Sequence, residues 1–270
     1  MLKLERLTRN EWRFQADWPP SAEARFDQAL DLMEAGKLDL AEDRLREVLM
    51  VYPDHIDVWH HLGLILENCR DDLLSYACTR EAVRLGLDAI PKDFSWLTGR
   101  MEWSFLENRP FLRAYHKLGL YLMEHGGASE ALEPFTRLLA VSPNDNLGVR
   151  YLLMECHLAL EDWEAAMHLA DRYQDDISPA IIYSKVVALL GLDREAEAVE
   201  CLQEAVRCHP KVANELLKSR HMRPKSAFAG CITVGGEDEA FSYWERNKVH
   251  WAKDTAAYGL LHQLKGGKKS

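Results

Sequence analysis

The sequence predicts an all-α fold of stacked helix pairs, and three observations carry the prediction. Small residues recur at one period: Ser75 follows Ala41 by 34 residues, Ala165 follows Ala131 by 34, and Ala198 follows Ala165 by 33. Around each of them apolar residues return at helical spacing, as in Ala131, Phe135 and Leu138. Breakers punctuate the runs, with Gly36, Gly126 and Gly127 inside the pairs and Pro53, Pro143 and Pro210 closing them. A unit repeated at such a period cannot bury its apolar face alone. Stacking on neighbours supplies the core.

Residues 107–145 show the unit most clearly. Tyr115, Leu118, Gly119 and Leu122 share one helical face, Ala131, Phe135 and Leu138 share a second, and Pro143 ends the stretch. Gly119 and Ala131 are small enough to let two antiparallel helices approach, while Leu118 and Phe135 fill the space that remains. This spacing resembles the tetratricopeptide (TPR) repeat, W-x2-L-G-x2-Y then A-x3-F then P, with Tyr for Trp and Leu for Tyr. The resemblance covers residues 22–210 and implies a TPR-type right-handed helical solenoid with terminal caps.

Taken in order, residues 1–21 form an N-terminal segment too apolar for a linker, with Leu2, Leu4, Leu7, Trp12, Phe14 and Trp18. It is expected to fold back as a cap over the first repeat, with Ser21 capping the helix that follows. The first repeat spans 22–55, with Ala41, Leu45 and Val48 on its second helix. The next, 56–89, has the fuller first helix: Trp59, Leu62, Gly63 and Leu66. The register then slips, because Ser75 to Ala131 is one period plus 22 residues. The surplus is an aromatic insertion, 90–111, carrying Phe94, Trp96, Trp103, Phe105 and Phe111, expected as a short helix or turn packed on the solenoid. The third repeat begins at Leu112, the fourth spans 146–178 and the fifth runs from Pro179 to Pro210. Asn144 or Asn146 is expected to cap the fourth. Residues 211–270 read as a divergent repeat, a capping helix behind Asp254, and a short basic tail with Lys265, Lys268 and Lys269.

Composition narrows the function. Hydrophobic residues at 47% beside 28% charged residues supply a continuous core without a membrane span. A net charge of -10 disfavours nucleic acid and anionic lipid as partners. The N-terminal stretch carries charges where a secretory signal needs an apolar run. Six cysteines at 69, 78, 156, 201, 208 and 231 lack metal or redox spacing and read as reduced thiols. A cytoplasmic location is expected.

A narrower resemblance rests on ENRPFLRAYHKLG (107–119), SPNDNLGVRYLL (142–153), YQDDISPAIIYSKVVALL (173–190) and GGEDEAFSYWERNKVHWAKDTAAYGLL (235–261). These resemble a bacterial and plant group of TPR proteins, distantly similar to the suppressor of tumorigenicity 7 family. Asp254-Thr255 and Ala256-Ala257 depart from that group's closing pattern. The resemblance implies neither enzymatic activity nor a cofactor.

In TPR proteins the first helix of each unit lines a concave groove, and that resemblance points to His60, Leu64, Arg113, His116, Leu120, Arg150, Met154 and Tyr183 as partner contacts. The ninth position of each unit is apolar (Leu30, Leu64, Leu120, Met154, Val187), unlike the carboxylate clamp of chaperone-tail binders. Such a stripe suits an amphipathic helix or extended peptide, unless the chain's own segments cover it. Arg109, Arg113, His116, Arg150 and His157 form either a basic spot or partners for local acids such as Glu107, Asp145 and Glu155. No His/Cys pair has zinc spacing, and no nucleophile elbow, phosphate loop or dinucleotide fingerprint is present. The sequence therefore reads as a non-catalytic protein-interaction scaffold for a protein or peptide. A self-associating homo-oligomeric repeat protein is the alternative, and an enzyme site in 211–264 a more distant one.

Overall fold

The computed structural model describes residues 2–225 and 232–266. Its contacts divide the chain into two compact units, Met1–Val149 and Arg150–Ser270. Cys231, Lys268 and Lys269 lie outside the described residues. The fold is all-α and TPR-type, with one small β-hairpin.

The first unit opens with strands β1 (Lys3–Arg6) and β2 (Trp12–Gln15), paired antiparallel with Leu4 opposite Phe14. Helix pairs follow: α1 (Pro20–Glu34) with α2 (Leu38–Val51), α3 (Ile56–Asn68) with α4 (Asp72–Asp88), and α5 (Arg109–His125) with α6 (Ala128–Val141). Each pair forms because small residues line its seam. A Cβ added at Gly119 would stand 2.4 Å from Phe135 Cε1, so only glycine lets Phe135 lie flat on α5. Ala131 and Phe135 are fully buried beside it. Ser75 takes the small position on α4, and its hydroxyl donates to Gly63 O at 2.7 Å and pairs with Tyr121 Oη at 2.6 Å. One residue thereby ties α3, α4 and α5.

The N-terminal segment touches the first repeat, where Leu2 N and Trp18 Nε1 donate to the Asp54 carboxylate, and it also pairs as a hairpin that the sequence did not predict. The hairpin bonds to chain near the insertion: Leu4 N donates to Ala89 O, Trp12 N to Arg100 O and Phe14 N to Asn108 Oδ1. Buried Asn108, in a single 3-10 turn (Leu106–Asn108), also donates from Nδ2 to Trp12 O and Glu102 O. Phe111 lies beneath, against Phe14 and against α4 at Gly86, where an added Cβ would sit 2.1 Å from its ring. The surplus 22 residues that break the period thus fill one side of a layer whose other side is the hairpin. The reason is hydrogen bonding: irregular backbone over 90–108 needs partners, and short strands supply them.

Helix starts also depart from expectation in detail. Pro20 opens α1 and leaves Ser21 inside it. Asp145, rather than either neighbouring asparagine, accepts from Val149 N at 2.6 Å. Its φ of 49° turns the carboxylate toward that amide.

The second unit holds α7 (Val149–Ala159), α8 (Trp163–Arg172), α9 (Pro179–Gly191), α10 (Glu195–Cys208), α11 (Pro210–Leu216), α12 (Glu237–Asn247) and α13 (Ala256–Gly266). Asp162 caps α8 by accepting from Ala165 N. Thr255 Oγ1, not Asp254, accepts from Tyr258 N at the start of α13. Helix α9 is apolar around most of its circumference, with buried residues from Pro179 to Leu189. Such a helix belongs in the middle of a unit. It packs against α8 and α10 and also meets α12 and α13.

Candidate functional site

In the first unit the first helices α1, α3 and α5 form one face, and ion pairs bind α3 to α5 across it. Arg113 Nη2 donates to both Asp57 oxygens at 2.8 and 2.9 Å, and Lys117 Nζ to Glu67 Oε1 at 2.6 Å. Asp57 also faces His61 Nδ1 at 3.2 Å. Burial alone would raise the Asp57 pKa; the bond and charge of His61, then Arg113 and His60, outweigh it and hold the carboxyl below its ordinary value. On these helices Leu64 and Leu120 stay half-buried, as does Leu30 on α1.

The predicted contacts divide accordingly. Leu64, Leu120, Arg113 and His116 share the α3–α5 face with part of each side chain accessible. His60 does not serve as an open contact: it is 7% exposed, and burial pushes its pKa down to about 3, leaving a neutral ring in the helix interface. Burial also lowers His116, opposed by the charge of Asp145. The basic spot is consumed locally. Arg113 is bound to Asp57, and the Arg109 guanidinium lies over Trp103 at 5.1 Å while its Nε donates to Trp103 O.

In the second unit Arg150 donates from Nε to Asp176 Oδ2 at 2.6 Å and lies over the Tyr151 ring at 4.1 Å. Met154 and Tyr183 are corrections outright, since both are fully buried. The Tyr183 hydroxyl donates to His209 O at 2.9 Å, and its ring lies 5.6 Å from Tyr243 and 5.7 Å from Trp251. The divergent C-terminal segment therefore occupies the face of α9 that a partner would need. The sequence placed covering segments in 1–21 or 90–111; here the cover comes from Tyr243 and Trp251.

A cleft of about 340 Å³ opens at the starts of α1, α3 and α5, under the chain that leaves β2. Trp18, Phe26, Glu23, His55 and Glu107 are among its walls. Sequence reasoning missed it because its walls come from four separated stretches. The one available signal was His55, standing just after the Pro53 turn at a helix start, where Nδ1 now caps α3 by accepting from Val58 N.

Nucleophilic chemistry finds little support in the buried thiols: burial pushes Cys78 and Cys201 up to about 11 and Cys156 to about 12. Among the described residues no group of three or more His, Cys, Asp or Glu is arranged to hold a metal. No described helix is long and apolar enough to cross a membrane.

Helix pairs of this kind, with this order, recur in proteins of known structure and family. A family model described as "Transcriptional repressor TCF25" matches residues 30–263. The chain belongs to the Tcf25 family. For this Tcf25-family chain, no curated protein sequence gives a match. Among solved structures, MamA aligns with a TM-score of 0.52 at 15% identity, over 75% of this chain and 98% of MamA. A MamA RS-1 ArsTM double mutant aligns at 0.51, with 15% identity over 71% of this chain and 96% of its own. A Podosopora anserina kinesin light chain with nearly identical TPR-like repeats scores 0.47 at 15% identity, over 71% and 96%. The MamA alignments show the fold of the Tcf25-family chain, and the fold alone. The TPR resemblance holds, and at the level of family the match is to Tcf25.

Proposed function

We propose that this Tcf25-family chain is a non-catalytic interaction scaffold that holds a protein or peptide on the α1–α3–α5 face of its first unit. One observation carries the reading: Leu30, Leu64 and Leu120 stand half-exposed at one repeat position, and ion pairs fix α3 to α5 beside the last two. A face already rigid loses little freedom on binding, so the partner alone is ordered. The family description as a transcriptional repressor supports a partner from that machinery, reached through protein rather than DNA given the net charge of -10. It also sets a nuclear location against the cytoplasmic one that the sequence suggested, and imaging of a tagged chain decides between them.

The test is Leu64→Glu with Leu120→Glu in the full chain. Partner recovery by affinity capture should fall at least tenfold while the circular dichroism melt is kept; unchanged recovery retires this face. Self-association through Trp96 or Trp103 draws less support, since Trp96 lies under Arg137 at 4.9 Å and Trp103 under Arg109. Light scattering that gives a monomer at micromolar concentration would remove it.

A further inference from the structure

We infer that the cleft at the starts of α1, α3 and α5 takes an arginine side chain from a basic extended segment of a partner protein. This deepens the scaffold reading and rests on it.

Charge is the first argument. Glu23, Asp57 and Glu107 contribute to the walls, and among the described residues no lysine or arginine does. Asp57 is already engaged by Arg113, while Glu107 has Arg13 at 3.6 Å among the described residues. Glu23 stands at the rim with its side chain 51% exposed and only the neutral His55 ring near it as a partner among the described residues. Burial raises the Glu23 pKa, and the charges of Asp27 and Asp57 raise it further. A cation arriving in the cleft opposes the two carboxylate charges, and its pairing with Glu23 offsets the cost of burial.

An independent argument comes from His55, which is 2% exposed. Its Nδ1 accepts from Val58 N, so the neutral ring carries its proton on Nε2. Burial holds that ring neutral, with its pKa pushed down to about 4. Trp18 stacks flat on it at 3.8 Å and locks its orientation. The Nε2 proton then has no hydrogen-bond acceptor, and the group it faces is Glu23 Oε1 at 3.7 Å, just out of reach. A buried donor left open in this way is costly, and closing it favours any state that does so. Drawing Glu23 inward by under about 1 Å would close the bond, by the usual donor–acceptor distance. A cation in the cleft does that drawing. Ligand capture and satisfaction of the buried donor are one event.

Arginine fits better than lysine. Its planar fork can serve carboxylates on more than one wall, and its face and stem suit Trp18 and Phe26. A volume of about 340 Å³ holds one long side chain with its adjoining backbone.

The experiment uses the full chain labelled with 15N at tryptophan. The Trp18 indole N–H donates to Asp54 Oδ1 at 3.2 Å and reports on the cleft wall; Trp18→Phe assigns its resonance. Two short peptides are titrated, one with a single arginine between leucines and one with citrulline in its place, equal in shape and without charge. The arginine peptide should shift Trp18 and leave Trp163 and Trp244 of the second unit unmoved. The citrulline peptide should bind at least tenfold more weakly, and Glu23→Gln should weaken the arginine peptide about tenfold with the melting midpoint kept. Equal affinity for the two peptides, an unmoved Trp18, or an unaffected Glu23→Gln would overturn the inference. So would a Trp18 shift produced by concentrating the protein alone, which assigns the cleft to a second copy. Loss of peptide binding with partner capture still dependent on Leu64 and Leu120 defeats the cleft and spares the scaffold reading. The reverse pattern defeats the face and spares the cleft.

Discussion

In the first unit Leu64 and Leu120 stand half-exposed at the ninth position of their helices; in the second, Met154 and Val187 stand at the same position and are closed to solvent. The fifth position does not follow that division, since Phe26 and His60 are buried in the first unit and Arg150 is half-buried in the second. The repeat pattern is the same in both. What differs is the chain that arrives later: Tyr243 and Trp251 come down on α9, while α3 and α5 bond to one another through Asp57 and Glu67. A repeat position therefore names a direction on a helix. It does not say whether that direction ends in solvent or in another part of the same chain.

Removing the cover in the second unit is the strongest way to break the contrast. Trp251→Ala deletes a ring that is 3% exposed, touches Tyr183 and donates to Tyr243 Oη at 3.0 Å. It should cost about 3–5 kcal/mol. Hydrogen exchange by mass spectrometry should show the loss in α9 and α12 with α3 and α5 still protected. Equal loss in both units would mean that they do not keep separate stabilities.

Acid acts next, and on the first unit. His55 and His60 are held neutral by burial, with pKa values about 4 and about 3 against an ordinary 6.5. Because the folded values are depressed, their contribution is whole above pH 6.5 and is lost as pH falls toward 4 for His55 and toward 3 for His60. The slope reaches about 1.4 kcal/mol per pH unit for each histidine. Urea midpoints followed from pH 7 to 4.5 should fall steeply, and His60→Leu should flatten the curve. A pH-independent midpoint would show both rings solvated.

Overpacking sharpens the comparison at a seam. Gly119→Ala forces Phe135 off α5 and should destabilise the first unit by about 1–3 kcal/mol. The smallest effect belongs to Ser75→Ala, which removes the bonds to Gly63 O and Tyr121 Oη. About 1 kcal/mol is expected in chemical denaturation. A double variant that simply adds would show that the two seams act independently.

What the sequence made legible was local. Gly119, Ala131 and Phe135 meet as their spacing implied, because residues four apart on a helix share a face whatever lies beyond. The hairpin was not legible. Its strands are four residues each, too short for a period to register, and their partners Arg100 and Asn108 lie on an irregular segment far along the chain. The arginines illustrate a second limit. Arg113 and Arg150 were visible as cations, yet Asp57 and Asp176, which hold them, stand 56 and 26 residues away and carry no pattern that pairs them. The cleft was out of sight for the same reason.

Asn108 also imposes an order in time. Its carboxamide joins Phe14 across 94 residues, so the hairpin, whose other partners begin at Ala89 and Arg100, cannot complete its bonds until that turn has emerged. At about 5–20 residues per second the wait lasts roughly 5–20 seconds, with Phe14 uncovered for most of it. Nascent chains stalled with residue 108 still inside the exit tunnel should be cut by protease near Phe14, and longer ones should resist; cleavage independent of length would refute the delay. The hairpin thus waits for a segment made well after it, and a chaperone that shields aromatics would have most to do before the insertion appears.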